Sequence, residues 1–376
     1  MYVRWVLCLA LMTSFVVRGV RVARGRQWRL HASAPASSPA AAVTASSPAL
    51  TPTSEYEYLD SGNNRRLERF GGALVIRNCP SAVWAPGLPP SAWAEAPLQH
   101  DGTAWSGLEH MPASWRARVR RDQVFELAPS EQGQVGVFPE QMEQWRWIRE
   151  SVQRGLASSS SSSPSRSFSS PSSSSGGSED CLRVLNGFAY TGGSTMAALG
   201  ALESLESLRD GATTTTTTTS SSRVGSVNVT HLDASSAAVK WAQRNVAASG
   251  LAALPCRFIV DDCATFLKRE IARGKRYDGL IFDPPAFGRA AGGKTWKLDK
   301  DLPTLVDLMS QLLSDRPAFV LLSCHDPAWG GPQLQALLEA VGPRGGRLER
   351  GEMGLQSRAG GRPLGLGSYA RVRWGR

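Results

Sequence analysis

The most informative segment of the chain runs from Tyr277 to Arg289 and reads YDGLIFDPPAFGR. Its first half is a short apolar run with a charged residue at each end, which is typical of a buried parallel strand. The run stops abruptly at Asp283, Pro284 and Pro285, and the aromatic Phe287 follows. In open α/β sheets, ligands bind just outside the carboxyl ends of the strands. We therefore expect a central strand with a candidate site at its end.

The end of this strand has a distinctive chemistry. Two consecutive prolines fix φ and remove two backbone donors, so Asp283 and Phe287 are held in one rigid, exposed arrangement. A carboxylate beside a stiff aromatic ring suits the binding of a planar, hydrogen-bonding group such as a nucleobase. A strand followed by a purely structural proline turn is the alternative interpretation, and the segment alone does not separate the two.

This strand belongs to an alternating series of strands and helices. The predicted strands cover residues 182–186, 227–232, 257–260, 277–282, 318–323 and 367–374. The predicted helices cover residues 194–208, 236–249, 264–272, 302–313 and 332–341. Alternation at this spacing predicts an α/β fold with a doubly wound, mostly parallel sheet.

Biased composition marks the limits of the folded parts. Residues 1–54 contain six Arg and no Asp or Glu, with an apolar stretch at 5–17 that is too short to span a bilayer. This pattern predicts a disordered targeting presequence for a plastid or mitochondrion, with a secretory signal as the alternative. The other predicted units are a small β-rich module at 55–150, a Ser-rich flexible linker at 151–180, and the sheet domain at 181–376 with a Thr-rich loop at 211–223.

Charge, cysteines and tryptophans constrain the function only weakly. Of the formal net charge of +10, six units fall in residues 1–54, so the remaining +4 gives weak support for a nucleic-acid partner. The six cysteines form no CxxC pair and no metal-ligand spacing, which favours reduced thiols and predicts no metal site. Six tryptophans lie between Trp84 and Trp147, and they favour an aromatic core over an RNA-stacking surface.

Polar or glycine-rich residues follow four of the predicted strands. The first is the turn at 186–195, NGFAYTGGST, where Gly192 and Gly193 allow a ligand to approach the backbone at a helix N-terminus. It lacks the GxGxxG pattern, so a nicotinamide or flavin dinucleotide is poorly supported. Asp233 ends the second strand, where an acid is placed to accept hydrogen bonds from ribose hydroxyls.

The third and fourth strand ends complete the pattern. Asp261 and Asp262 follow the third strand, where a carboxylate can bind an exocyclic amine, and Asp283 follows the fourth. Each acid alone is explained by capping of the next helix. All four features at one sheet edge are harder to attribute to caps, and they predict a binding site.

From about Tyr56 onward the sequence resembles class I S-adenosylmethionine-dependent methyltransferases, which have a Rossmann-like fold. It is most similar to the group of bacterial large-subunit ribosomal RNA methyltransferases that modify cytosine C5 or guanine N7. The matching segments are VLNGFAYTGGST at 184–195, VTHLDASSAAVKWAQRN at 229–245, FIVDDCATFLKRE at 258–270, YDGLIFDPPAFGR at 277–289 and the closing LGLGSYARVRW. Gly187 departs from the family, which usually has a larger residue there, and is expected to loosen the turn.

The resemblance implies S-adenosylmethionine as cofactor and RNA, in particular ribosomal RNA, as substrate. It implies that the turn at 186–195 holds the methionine part of the cofactor, through Asn186, Tyr190, Thr191, Gly192 and Gly193. It further implies that Asp233 holds the ribose, that Asp262 holds the adenine amine, and that Gln141 of the FPEQ segment folds over the cofactor. The acceptor base and the methyl donor would lie against Asp283, Pro284, Pro285 and Phe287.

The acceptor atom is left open by the sequence. Guanine N7 needs little more than positioning, and an exocyclic amine needs a proton acceptor such as Asp283. Cytosine C5 requires a thiolate that adds to C6, and Cys324, at the end of the fifth strand beside His325, is the candidate. A methyltransferase of protein or small molecules, and a non-catalytic RNA-binding assembly factor that keeps the fold, are the alternative functions.

Overall fold

A computed structural model of the chain describes residues 55–120, 122–161, 181–202, 226–289, 295–357 and 361–375. The predicted presequence at 1–54 and the Thr-rich loop at 211–223 lie outside the described residues, as do residues 162–180 of the predicted linker. In the parts of the chain that the structure describes, no helix combines the length and apolar character needed to cross a membrane.

The N-terminal part is rich in β-structure, as predicted. A five-stranded sheet contains β1 (Tyr56–Gly62), β2 (Arg65–Phe70), β3 (Ala73–Asn78), β4 (Leu98–His100) and β5 (Trp105–Ser106), in that order. A short helix, α1 (Pro90–Ala94), precedes β4, and a separate hairpin pairs β6 (Trp115–Arg120) with β7 (Gln123–Leu127). Short 3₁₀ turns at Leu108–His110 and Pro139–Gln141 follow β5 and β7, respectively.

Helix α2 (Met142–Ser161) leads from this part to the central sheet and extends into the segment predicted as a linker. The strands that follow are β8 (Cys181–Gly187), β9 (Ser226–Asp233), β10 (Cys256–Val260), β11 (Gly279–Phe282), β12 (Phe287–Arg289), β13 (Thr295–Lys297), β14 (Phe319–Cys324), β15 (Arg347–Leu355) and β16 (Leu364–Arg373). The helices are α3 (Gly193–Leu199), α4 (Ser236–Ala248), α5 (Cys263–Ala272), α6 (Leu298–Leu312) and α7 (Gly331–Leu338).

Seven of these strands form the central sheet, in the order β10-β9-β8-β11-β14-β16-β15. Neighbouring strands from β10 to β14 are parallel, and β16 runs antiparallel to both β14 and β15. β12 and β13 pair as a small hairpin directly after the DPPA segment. The predicted fold class, a doubly wound and mostly parallel sheet preceded by a small β-rich module, is confirmed.

Aromatic side chains of α2 join the N-terminal part to the central sheet. Trp145 stacks on Phe125 of β7 at a centroid distance of 5.6 Å, and Trp147 meets the ring of Phe319 of β14 edge-on at 5.7 Å. Both tryptophans are buried, in one core that continues from the N-terminal sheet into the central sheet. Large aromatic side chains dominate the burial energy of such contacts. These two tryptophans therefore belong to the hydrophobic core, in agreement with the aromatic core that the sequence predicted.

A buried charge cluster fixes β2 against β3. Glu68 is fully buried and accepts hydrogen bonds from Arg77 at 2.7 and 2.9 Å and from the Tyr56 hydroxyl at 2.9 Å. Arg66 also pairs with Glu68, with its Nε 3.2 Å from Oε2. Because buried ions are costly when unpaired, the two arginines depend on this one carboxylate.

Substitution of Glu68 by Ala is expected to destabilise the protein by about 3–5 kcal/mol, because it leaves two buried guanidinium groups without their main partner. The measurement is the free energy of unfolding in urea. Glu57→Ala is the matched control, because the 3.9 Å pair of Glu57 with Arg69 is partly exposed and is worth less than about 1 kcal/mol. Equal losses in the two variants would contradict this account of the cluster.

Candidate active site

Residues at the predicted strand ends line one cavity of about 680 Å³, which lies between the central sheet and the N-terminal part. Asp233, Asp262 and Asp283 line it, together with Pro284 and Pro285. Strands β9, β10 and β11 thus bring their terminal acids to one place, as expected for the carboxyl edge of a parallel sheet. Phe287 is not part of the lining, because it begins the β12 strand of the small hairpin.

Backbone amides fix the orientation of Asp233. Its carboxylate accepts hydrogen bonds from the N–H groups of Tyr190, at 2.9 Å, and Ser235, at 2.8 Å. Burial raises the pKa of Asp233, and the two hydrogen bonds oppose that rise. Each carboxylate oxygen can accept more than one hydrogen bond. Asp233 can therefore bind a pair of hydroxyl groups in the cavity without losing its contacts to the turn.

Asp262 both caps a helix and lines the cavity. It is the N-cap of α5 and accepts hydrogen bonds from the backbone N–H of Thr265, at 3.0 Å, and from the Thr265 hydroxyl. The capping alternative is therefore correct for this residue, and capping does not remove it from the cavity lining. Asp261 instead pairs with Arg269 outside the lining.

The turn at 186–195 contributes less of the cavity surface than predicted. Tyr190 lines the cavity, whereas Asn186 and Thr191 are buried behind it. The Asn186 amide donates to the Thr195 hydroxyl at 2.9 Å, and the Thr191 hydroxyl donates to the Gly136 carbonyl at 2.7 Å. These side chains hold the turn in shape, and their direct contact with a cofactor stays a prediction.

The two glycines of the turn serve close packing. Gly192 has a φ of +91°, which favours glycine, and a Cβ at Gly193 would lie 2.4 Å from the Trp145 ring. Phe188 and Tyr190 also have positive φ values, 55° and 47°, although they are not glycines. Such strained residues cluster at functional sites.

Asp283 is the centre of a hydrogen-bond network. Its Oδ1 accepts from the Ser323 hydroxyl at 2.8 Å, and its Oδ2 accepts from the Gln141 amide at 3.0 Å. His325 Nε2 lies 3.5 Å from the same Oδ2. Burial alone would raise the pKa of Asp283, but His325 and these hydrogen bonds outweigh it and lower the pKa. The predicted position of Gln141 beside the site agrees with this geometry.

His325 is a site residue whose role sequence reasoning missed. Its Nδ1 lies 2.9 Å from the Leu366 carbonyl and 3.8 Å from Glu140 Oε1. Burial alone lowers the pKa of His325, but Asp283 and Glu140 outweigh it and raise the pKa to about 9. The ring is therefore an imidazolium at neutral pH and holds Asp283 in its charged form.

The structure does not bring the Cys324 thiol into the cavity. Cys324 is fully buried at the end of β14, and burial raises the pKa of its thiol to about 12. Successive residues of an extended strand point to opposite faces, and Ser323 and His325 take the side of Asp283. The nucleophilic role of Cys324 stays a prediction.

An aromatic pair forms one wall of the cavity. The rings of Phe188 and Trp296 lie 5.0 Å apart, and the Trp296 indole donates to the Pro285 carbonyl at 2.7 Å. Both residues line the cavity next to Pro284. Flat apolar surfaces of this kind suit a planar ligand. Trp296 was not predicted as a site residue, and its only signal in the sequence is its place shortly after the DPPAF segment.

No family model matches the chain. Among solved structures, the chain is similar to an S-adenosylmethionine-dependent methyltransferase from Agrobacterium tumefaciens, with a TM-score of 0.67 and 28% identity over 86% of this chain and 91% of that one. A second structure, the methyltransferase SMU.776 in complex with S-adenosylhomocysteine, shares the fold, with a TM-score of 0.52 at 13% identity over 82% of this chain and 71% of that one.

Curated relatives match a shorter part of the chain. Ribosomal RNA large subunit methyltransferase K/L of Shewanella frigidimarina is 28% identical over 133 residues, 35% of this chain and 15% of that protein. Ribosomal RNA large subunit methyltransferase I of Klebsiella pneumoniae is 30% identical over 105 residues, 28% of this chain and 20% of that protein. The chain thus spans a fifth or less of the length of these two relatives. The predicted resemblance is confirmed, since the chain has the fold of the class I S-adenosylmethionine-dependent methyltransferases and is similar in sequence to members of that family.

Proposed function

We propose that this protein uses S-adenosylmethionine to methylate a base of ribosomal RNA in an organelle. The observation that carries the proposal is the meeting, in one cavity, of the terminal acids Asp233 and Asp262 with the Asp283-Pro284-Pro285 segment. The relatives named as ribosomal RNA methyltransferases support an RNA substrate. The composition of residues 1–54 supports import into a plastid or mitochondrion.

The residues of the cavity fit the cofactor. Asp233, oriented by two backbone amides, would bind the ribose hydroxyls, and Asp262 would accept a hydrogen bond from the adenine amine. Tyr190 and Gln141 would enclose the methionine part. When bound, the cofactor supplies a methyl group on a sulfonium, which is transferred by in-line displacement. The protein must then align the acceptor and exclude water.

The acceptor side is formed by Asp283 and the aromatic pair. A base that stacks between Phe188, Trp296 and the two prolines would present its edge to the Asp283 carboxylate. Ser323 and Gln141 fix that carboxylate, and His325 keeps it charged, so it can accept a hydrogen bond from an exocyclic amine. This arrangement favours methylation at nitrogen, because the alternative at cytosine C5 needs a thiolate in the cavity.

Loss of Asp233 tests the cofactor site. Asp233→Ala is expected to weaken S-adenosylhomocysteine binding by about 10- to 100-fold, because hydrogen bonds to a charged group contribute about 1.5–3 kcal/mol. The measurement is isothermal titration calorimetry on the full chain. Asp315→Ala, exposed just before β14 at the other edge of the sheet, is the control. A wild-type protein that binds no S-adenosylhomocysteine would refute the proposed enzyme and would favour the non-catalytic assembly factor.

Asp283 and Cys324 separate the two acceptor chemistries. Asp283→Ala is expected to lower methyl transfer to ribosomal RNA at least about 100-fold, and Cys324→Ala to lower it less than about threefold, because the thiol is buried and protonated. The measurement is transfer of a radiolabelled methyl group, with 5-fluorocytosine RNA as a covalent trap. A trapped adduct that disappears in Cys324→Ala would instead establish the cytosine-C5 route.

The organelle and the RNA are tested together in the source organism. We expect a knockout to remove one methylated base from the ribosomal RNA of a plastid or mitochondrion, detected by mass spectrometry of nuclease digests. The matched control is complementation with the full chain, set against complementation with the Asp283→Ala variant. Unchanged ribosomal RNA, with loss of a methyl group from a protein or metabolite, would support the alternative substrate class.

A further inference from the structure

Two buried ionic side chains of the cavity have bonding capacity that the protein does not use. Arg66 of β2 is 5% exposed and Glu140 of the Pro139–Gln141 turn is 4% exposed, and both line the cavity. Arg66 Nη1 and Glu140 Oε2 have no hydrogen-bond partner among the described residues, and Arg66 Nε has only its 3.2 Å ion pair with Glu68. Buried polar atoms normally find partners, so this cation and this carboxylate require an explanation.

These two side chains belong to one electrostatic unit. Burial alone lowers the pKa of Arg66, but Glu68 and Glu140 outweigh it and raise the pKa. Ion pairs form two triads at this end of the cavity. Arg66 and Arg77 pair with Glu68, and His325 pairs with Glu140 and Asp283, so the two triads together hold three cations and three carboxylates. Because the unit is already balanced, the ligand that suits it best carries one positive and one negative group.

We infer that Arg66 and Glu140 bind the two ends of an α-amino acid group, the Arg66 guanidinium holding its carboxylate and Glu140 Oε2 holding its ammonium. The inference rests on the proposed function, because the cofactor is the ligand of this cavity that carries such a group, on its methionine part. It satisfies the unpartnered atoms of both side chains and keeps the unit neutral. A phosphate of the RNA would satisfy Arg66 alone and would leave Glu140 without a partner.

The position of the two residues agrees with this assignment. Glu140 is adjacent in sequence to Gln141, whose amide reaches Asp283 at 3.0 Å, so the amino acid group would lie next to the acceptor side of the cavity. Arg66 forms an ion pair with Glu68. When Arg66 is replaced, Glu68 keeps its two hydrogen bonds from Arg77. Substitution of Arg66 by Gln therefore leaves the buried carboxylate paired, and the variant is expected to fold.

The test compares three ligands by calorimetry on the full chain. S-Adenosylhomocysteine carries both charged groups, decarboxylated S-adenosylhomocysteine keeps only the ammonium, and methylthioadenosine has neither. Arg66→Gln is expected to weaken S-adenosylhomocysteine about 10- to 100-fold and to leave the other two ligands unchanged. Glu140→Gln is expected to weaken both ligands that carry the ammonium and to leave methylthioadenosine unchanged.

Neighbouring residues provide matched controls. Arg65→Gln changes the adjacent arginine of β2, which lies over Trp93 outside this cavity, and Glu143→Gln changes an exposed glutamate of α2. Both controls should bind all three ligands as the wild type does. Thermal unfolding of each variant reports on folding, and Arg66→Lys, which keeps the charge, should recover part of the S-adenosylhomocysteine affinity.

Three results would overturn the inference. The first is that Arg66→Gln binds all three ligands as tightly as the wild type does. The second is an equal loss of affinity for all three ligands, which would indicate a general distortion of the cavity. The third is unchanged S-adenosylhomocysteine binding with weaker binding of a short RNA oligonucleotide, which would assign Arg66 to a phosphate. Failure of the wild type to bind methylthioadenosine and S-adenosylhomocysteine would instead refute the proposed function itself.

Discussion

The hydrogen bonds from the Gln141 amide to Asp283 and Ser323 are the contact on which the site depends. Gln141 belongs to the N-terminal part, whereas Asp283 and Ser323 end two adjacent strands of the central sheet. The network therefore links the two parts of the protein at the cavity and orients the carboxylate that would face the acceptor in the proposed function. Because these partners lie far apart in the chain, the site forms only when both parts of the protein have folded against each other.

Much of the central sheet follows from local patterns in the sequence. Apolar runs followed by acids predicted β9, β10 and β11, and the observed α5 (Cys263–Ala272) begins one residue before its predicted start. The strand predicted from 277 begins instead at Gly279. The cause is Asp278, whose carboxylate accepts hydrogen bonds from the Arg183 N–H and the Ser314 hydroxyl, both at 2.9 Å, and ties the chain down ahead of the strand.

Other features depend on contacts that no local pattern shows. β15 (Arg347–Leu355) was not predicted, because it is an edge strand in which only Met353 and Leu355 are buried. Arg66 and Glu68 were not singled out from the sequence, because their burial depends on Arg77 across the β2–β3 pair. Gly187 was expected to loosen its turn. A Cβ there would lie 2.4 Å from the Phe282 ring, so the glycine is instead required by a large neighbour on β11.

The geometry of β14 restricts the chemistry that the site can perform. Ser323 and His325 point toward Asp283, so the alternation of side chains along an extended segment sends Cys324 to the opposite side. A thiolate route would require this strand end to rotate. Rotation would break the 2.8 Å hydrogen bond from Ser323 to Asp283 and separate His325 from Asp283. The Asp283 carboxylate would then lose the partners that keep it charged. A hydrogen-bonded Asp283 carboxylate and a thiol exposed to the cavity are therefore competing arrangements of one strand end, and the packed core around Cys324 favours the carboxylate.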